Sequence, residues 1–164
     1  MGAPIPYPEA GDVVWKGTQA LQKSLEDHPL TYSVWAKLYT REIIGDTRFQ
    51  EGIRVNEDSL FVFRLLCKQP CFAGINRVVY FYRPNAASAS HAAFSEKYFD
   101  IPKVADMKRQ LVLRQYPQME AAARNMKLKA ELCLLNNLSS CPGKKYRAQE
   151  KALLCSLREE KAYY

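Results

Sequence analysis

The stretch from Asn56 to Leu66 limits the fold of this chain more than any other. Leu60, Phe61, Phe63, Leu65 and Leu66 follow Asn56-Glu57-Asp58, and at 3.6 residues per turn they leave a helix apolar on most of its circumference. Such a helix has to be buried. Asn56 suits an N-cap, and two acids in the first turn face the unpaired backbone N–H groups that favour negative charge there. Gln69-Pro70 closes the helix.

A chain of 164 residues, 48% hydrophobic and 25% charged, can surround that helix with one ordinary core, and one domain is the expectation. The elements around it follow from periodicity and from proline and glycine punctuation. Three prolines among the first eight residues favour an extended lead-in. Val14, Leu21 and Leu25 allow a helix from about Asp12 to Asp27, ended by His28-Pro29. Val34, Trp35, Leu38, Tyr39, Ile43 and Ile44 recur at helical spacing up to Gly45, with a loop from Asp46 to Val55 beyond. Phe72–Ile75 and Val78–Tyr82, rich in β-branched and aromatic residues, read as two strands or one bent strand ended by Pro84. Asn85 to His91 is small and polar and reads as a mobile surface loop. Three amphipathic helices follow, separated by Pro117 and by Cys141-Pro142-Gly143. No internal repeat, heptad seam or low-complexity tract is present.

Charge divides unevenly. Residues 1–102 hold 11 Lys/Arg against 11 Asp/Glu, whereas residues 103–164 hold 13 against 6, so the whole excess of +7 lies in the C-terminal helices. A basic helical tail suits an anionic membrane surface, an anionic substrate or nucleic acid. Nucleic acid is the weakest of these, because the basic helices lack interleaved stacking aromatics and any zinc-finger or RNA-binding signature. Five cysteines without a Cys-x-x-Cys pair indicate a reducing compartment rather than a disulfide framework. With only His28 and His91 present, no structural zinc site is expected. The N-terminus shows no export signal, and Pro6 replaces the Ser/Thr of a myristoylation signal. No apolar run approaches the roughly 20 residues that cross a bilayer. A cytoplasmic protein, peripheral at most at the inner face of a membrane, is the expectation.

Chemistry centres on Glu57-Asp58. Either the pair only complements the helix macrodipole, or one carboxylate is a general base held rigidly at a helix start. Trp35 and Lys37 are expected on different faces of their helix, one in the core and one solvated. Tyr80 and Tyr82 alternate with Phe81 as in a strand, Arg83 follows as an edge charge, and His91 alone signals little. Gly-x-Gly-x-x-Gly, P-loop and Asp-x-Asp motifs are all absent, so this chain alone shows no phosphate-cradling or metal-bridged nucleotide site.

Taken in order, Val34-Trp35-Ala36-Lys37-Leu38-Tyr39-Thr40-Arg41, Arg48-Phe49, Glu51-Gly52-Ile53, Glu57-Asp58-Ser59-Leu60-Phe61 and Tyr80-Phe81-Tyr82-Arg83 followed by Ser88 resemble the C-terminal half of bacterial family 2 glycosyltransferases. The likeness covers about residues 30 to 110. It implies an α/β fold of the GT-A, Rossmann-like type, whose other half binds a nucleoside-diphosphate sugar and holds Mn or Mg through Asp-x-Asp. By position, Asp58 would be the general base of an inverting displacement and Glu57 its support. Trp35 and Lys37 would line the acceptor side, and Arg83, Ser88 and His91 would belong to a loop over the donor diphosphate. The family usually has Asn where this chain has Ala36. The implied organisation is a lead-in and helix over 1–30, an acceptor-side catalytic part over 31–102 and a basic helical extension over 103–164. The chain is then expected to be a fragment or one part of a split enzyme, inactive alone, working on a saccharide or lipid-linked acceptor in polysaccharide or glycolipid assembly. Self-association is expected of an exposed half-domain. The alternative is a non-catalytic helical module that binds a partner protein or an anionic membrane.

Overall fold

A computed structural model describes residues 11–68, 70–81, 94–139, 141 and 145–161. They are mixed α/β, mostly helical with one small two-stranded sheet. The described residues fall into two compact units: 11–52 with 57–81, and 53–56 with 94–161. These limits differ from the expected divisions after residues 30 and 102.

In the first unit, strand β1 (Val13–Trp15) pairs antiparallel with β2 (Phe72–Gly74), Val14 opposite Ala73. A helix beginning near Asp12 was expected here. Instead Val13-Val14-Trp15 is β-branched and aromatic, suits a ladder, and is cut off by Gly17 at φ 56, where a side chain would be strained. Helix α1 (Gln19–Leu25) starts only after that turn. Trp15 stacks on Phe72 at 5.0 Å and meets His28 edge-on at 4.8 Å, sealing one end of the sheet.

Helix α2 is the single turn Arg41–Ile44. The helix expected from Val34 does not form, for two local reasons. Ala36 sits at φ 56, in the left-handed region that breaks a right-handed helix. Thr40 is extended at ψ 151 and caps α2, its Oγ1 accepting the Ile43 N–H at 3.3 Å, so regular helix begins after it. Gly45 ends α2 at φ 48, and Lys68 Nζ donates to the freed carbonyls of Ile43 and Ile44 at 2.7 and 3.0 Å.

Helix α3 (Glu57–Leu66) buries every residue from Ser59 to Leu66 except Arg64. It packs against α1, and Leu60, Phe63 and Leu66 share the core with Ala20, Leu21 and Leu25. At about 1.5–3 kcal/mol for each large side chain, this is the main stabilisation of the unit. Arg64 turns outward and donates to the Arg48 carbonyl at 3.2 Å and to Gln50 Oε1, holding the preceding loop. Phe49 stacks on Phe61 at 4.5 Å. Residues 78–81 form no strand, and Tyr82 lies outside the described residues.

The second unit is built on the hairpin of α4 (Asp100–Gln115) and α5 (Glu120–Ser139), broken at Tyr116-Pro117 as expected. Val104, Ala105 and Val112 meet Ala123, Met126, Leu134 and Leu138 in its core. Helix α6 (Arg147–Lys161) lies on α5. Near its start Phe94, Phe99 and Tyr146 form an edge-to-face cluster. Near its end Ser156 donates to the carboxylate of Glu131 at 3.0 Å, and Lys127 Nζ reaches the same carboxylate at 2.6 Å.

Candidate functional site

Glu57 and Asp58 occupy the first turn of α3, as expected. Asn56 before them is not a conventional N-cap. It stands at φ 65, a left-handed setting that Asn tolerates better than most residues, where an N-cap is normally extended. Both acids are half-buried. Asp58 Oδ1 accepts the Ser59 N–H at 2.7 Å, which satisfies one free amide of the helix start and orients the carboxyl group. Neither Glu57 nor Asp58 Oδ2 has a hydrogen-bond partner among the described residues.

Trp35 and Lys37 are on no helix, which corrects the expectation. Their segment alternates instead: Lys37 and Tyr39 are half-buried, while Leu38 between them is fully exposed at 103%. Lys37 Nζ donates to the Ser33 carbonyl oxygen and lies 3.4 Å from Ser33 Oγ. Burial brings its pKa down to about 8, and the negative charge of Asp58 partly opposes that fall. Tyr39 is pushed up to about 12, first by burial and then by the same Asp58 charge. Its hydroxyl oxygen is buried without a hydrogen-bond partner among the described residues, and its ring meets Phe61 edge-on at 6.4 Å. Asp58, Lys37 and Tyr39 are thus one electrostatic group.

Trp35 stacks on Tyr80 with centroids 4.8 Å apart and planes inclined by 20°, and both rings stay substantially exposed, at 36% and 45%. The first unit therefore presents an aromatic platform, an ammonium and a carboxylate on neighbouring segments. Tyr39 and Tyr80 are members that sequence reasoning missed as site residues. No clear signal for Tyr39 was present in the sequence: it stands two residues from Lys37 but four from Trp35, which fits a helix as well as an extended chain. Arg83, Ser88 and His91 lie outside the described residues.

Asp-x-Asp is absent, Asp58 has an ammonium within electrostatic reach, and the described residues contain no group of three or more His, Cys, Asp or Glu placed to hold a metal. Among the described residues no helix is long and apolar enough to cross a membrane. No family model, curated protein or solved structure matches this chain.

Proposed function

We propose that the first unit is the acceptor side of a GT-A glycosyltransferase of the family 2 type, acting on a saccharide or lipid-linked acceptor. The observation that carries this reading is the exposed Trp35–Tyr80 stack, two residues along the chain from a half-buried Lys37 whose ammonium feels the charge of Asp58 at the start of α3. An aromatic face takes the C–H face of a pyranose, and a carboxylate and an ammonium take its hydroxyls. Asp58 removes the proton from the attacking hydroxyl as that oxygen displaces the diphosphate at the anomeric carbon, with inversion. Lys37, still largely an ammonium at neutral pH with its pKa at about 8, donates to an acceptor oxygen and orients it. Glu57 supports the helix start.

Two further observations support the reading. Ala36 stands left-handed at φ 56 at the position where the resemblance has Asn, the residue that tolerates this backbone best after glycine. Leu38, Ile75, Val78, Val79 and Phe81 are each more than half exposed, as expected of a surface that another part of the domain covers. That part would supply donor binding and any Mn or Mg, and this chain alone would turn over no sugar nucleotide. The test is an NMR titration of the chain with a panel of neutral and acidic saccharides. Shifts confined to Trp35, Lys37, Asp58 and Tyr80 are expected; shifts elsewhere, or none with any saccharide, count against the site.

The second reading, a helical module for an anionic membrane or partner protein, is favoured by α6. None of its described side chains is fully buried, and Leu154 on α6 and Leu132 on α5 are 43% and 46% exposed.

A further inference from the structure

Within the second unit, the α4–α5 hairpin gathers more positive charge near its turn than its acids match. Residues 106–129 carry six Lys/Arg against Asp106 and Glu120 alone. Arg109 on α4 and Arg124 on α5 are largely withdrawn from water, their side chains 20% and 15% exposed, and both turn to one oxygen of Glu120, the first residue of α5. Arg124 Nη2 donates to that Oε1 at 3.1 Å, whereas Arg109 Nη2 stays 3.8 Å away, beyond hydrogen-bond length. Arg109 Nε is buried and has no hydrogen-bond partner among the described residues. Asp106, one turn before Arg109, is exposed and forms no ion pair among the described residues.

A buried guanidinium is tolerated when its charge is met and its N–H donors find acceptors. The Glu120 carboxylate does not do this for two forks at once: engaged with Arg124, it leaves Arg109 out of reach. A phosphate group is better matched, with three terminal acceptor oxygens and a charge of about −1.5 to −2 at neutral pH. Arginine also suits it better than lysine, because each planar guanidinium meets two oxygens together. Glu120 is 45% exposed, so its carboxylate can turn out to water and yield its place without becoming a buried, unpaired charge. We propose that Arg109 and Arg124 form a binding site for the phosphate group of a phosphate monoester, with Glu120 as the internal anion that it replaces. The ligand carries that group either as a soluble compound or as a lipid headgroup. The site is independent of the proposed acceptor side, which belongs to the first unit.

Titration of the full chain with inorganic phosphate at constant ionic strength, followed by NMR at the side-chain Nε–H signals of Arg109 and Arg124, tests this. Both signals should shift to saturation. Glu120→Gln, which removes the competing charge, should tighten binding about tenfold, and Arg109→Lys, which keeps the charge but loses the fork, should weaken it about tenfold. The proposal falls if the shifts do not saturate, or if either variant folds and leaves the dissociation constant unchanged. Should Arg109→Lys lose its helical circular dichroism, Glu120→Gln decides alone, because its side chain is half in water. Phosphatidylcholine vesicles with and without phosphatidic acid then separate the two sources. Recruitment that needs phosphatidic acid and is lost in Arg109→Lys assigns the group to a lipid headgroup, whereas saturable phosphate binding without recruitment assigns it to a soluble phosphate monoester.

Discussion

Ala36 carries a cost that the sequence does not display. A Cβ in the left-handed region crowds the following carbonyl and costs on the order of 1 kcal/mol, so Ala36→Gly should raise stability by about 0.5–1 kcal/mol in urea unfolding. A neutral or negative change would mean that φ 56 is not strained there. Two residues on, Lys37 makes stability depend on pH. Its pKa falls from 10.5 to about 8 on folding, so between those values the unfolded chain binds more protons and stability rises as pH climbs from about 8 towards 10.5. Tyr39 acts in the opposite sense above that window. Its proton is kept up to about 12 in the fold but lost near 10 in the unfolded chain, so stability falls over that range. Urea midpoints should therefore climb from pH 8 to about 9.5 and then decline, and Lys37→Met should remove the climb. A profile unchanged by Lys37→Met would take the ammonium out of its buried setting.

Elements whose evidence is local were legible in the sequence. Helix α3 announced itself by an apolar run behind two acids, and the α4–α5–α6 order followed from 3.6-residue periodicity cut at Pro117 and near Cys141. Elements settled by distant partners or by one unusual backbone angle were not. Strand β1 exists because residues 72–74 lie opposite it, a pairing no window around Val13 contains. The helix expected over residues 34–44 is stopped by one left-handed alanine, which a hydrophobic pattern does not register. The site divided in the same way: its carboxylates were readable at the helix start, whereas the ring of Tyr80 was joined to Trp35 only by the fold. Helix α3 should also dominate stability at this scale. Phe63 is fully buried, and Phe63→Ala should cost about 3–5 kcal/mol, enough to unfold most of the first unit in circular dichroism melts. A loss below about 1 kcal/mol would place α3 outside the core. At the start of α4, burial would raise the Asp100 pKa, but the Arg54 N–H and Lys103 together bring it below its ordinary value of 3.8. That stability is present above the ordinary value and lost as pH falls through the folded one, so Asp100→Asn should flatten acid unfolding.

For the molecule as a whole, the separation of charge bears on where it works. The first 102 residues are neutral in sum and the remainder carries all of the +7. If the basic helices meet an anionic bilayer, binding to vesicles containing phosphatidylglycerol should weaken sharply with salt and vanish on phosphatidylcholine alone. Binding indifferent to both would leave that surface to a partner protein. The central claim is that Asp58 takes a proton and does more than complement a helix dipole. Sugar transfer by the complete natural protein, isolated from its own cells, measured for the parent and for Asp58→Asn, tests it most directly. Asparagine keeps the shape and can still accept the Ser59 N–H, so folding should change by no more than about 1 kcal/mol while transfer falls by about 100-fold or more. Equal turnover by parent and variant would contradict the account and leave Glu57-Asp58 as the acidic first turn of a buried helix.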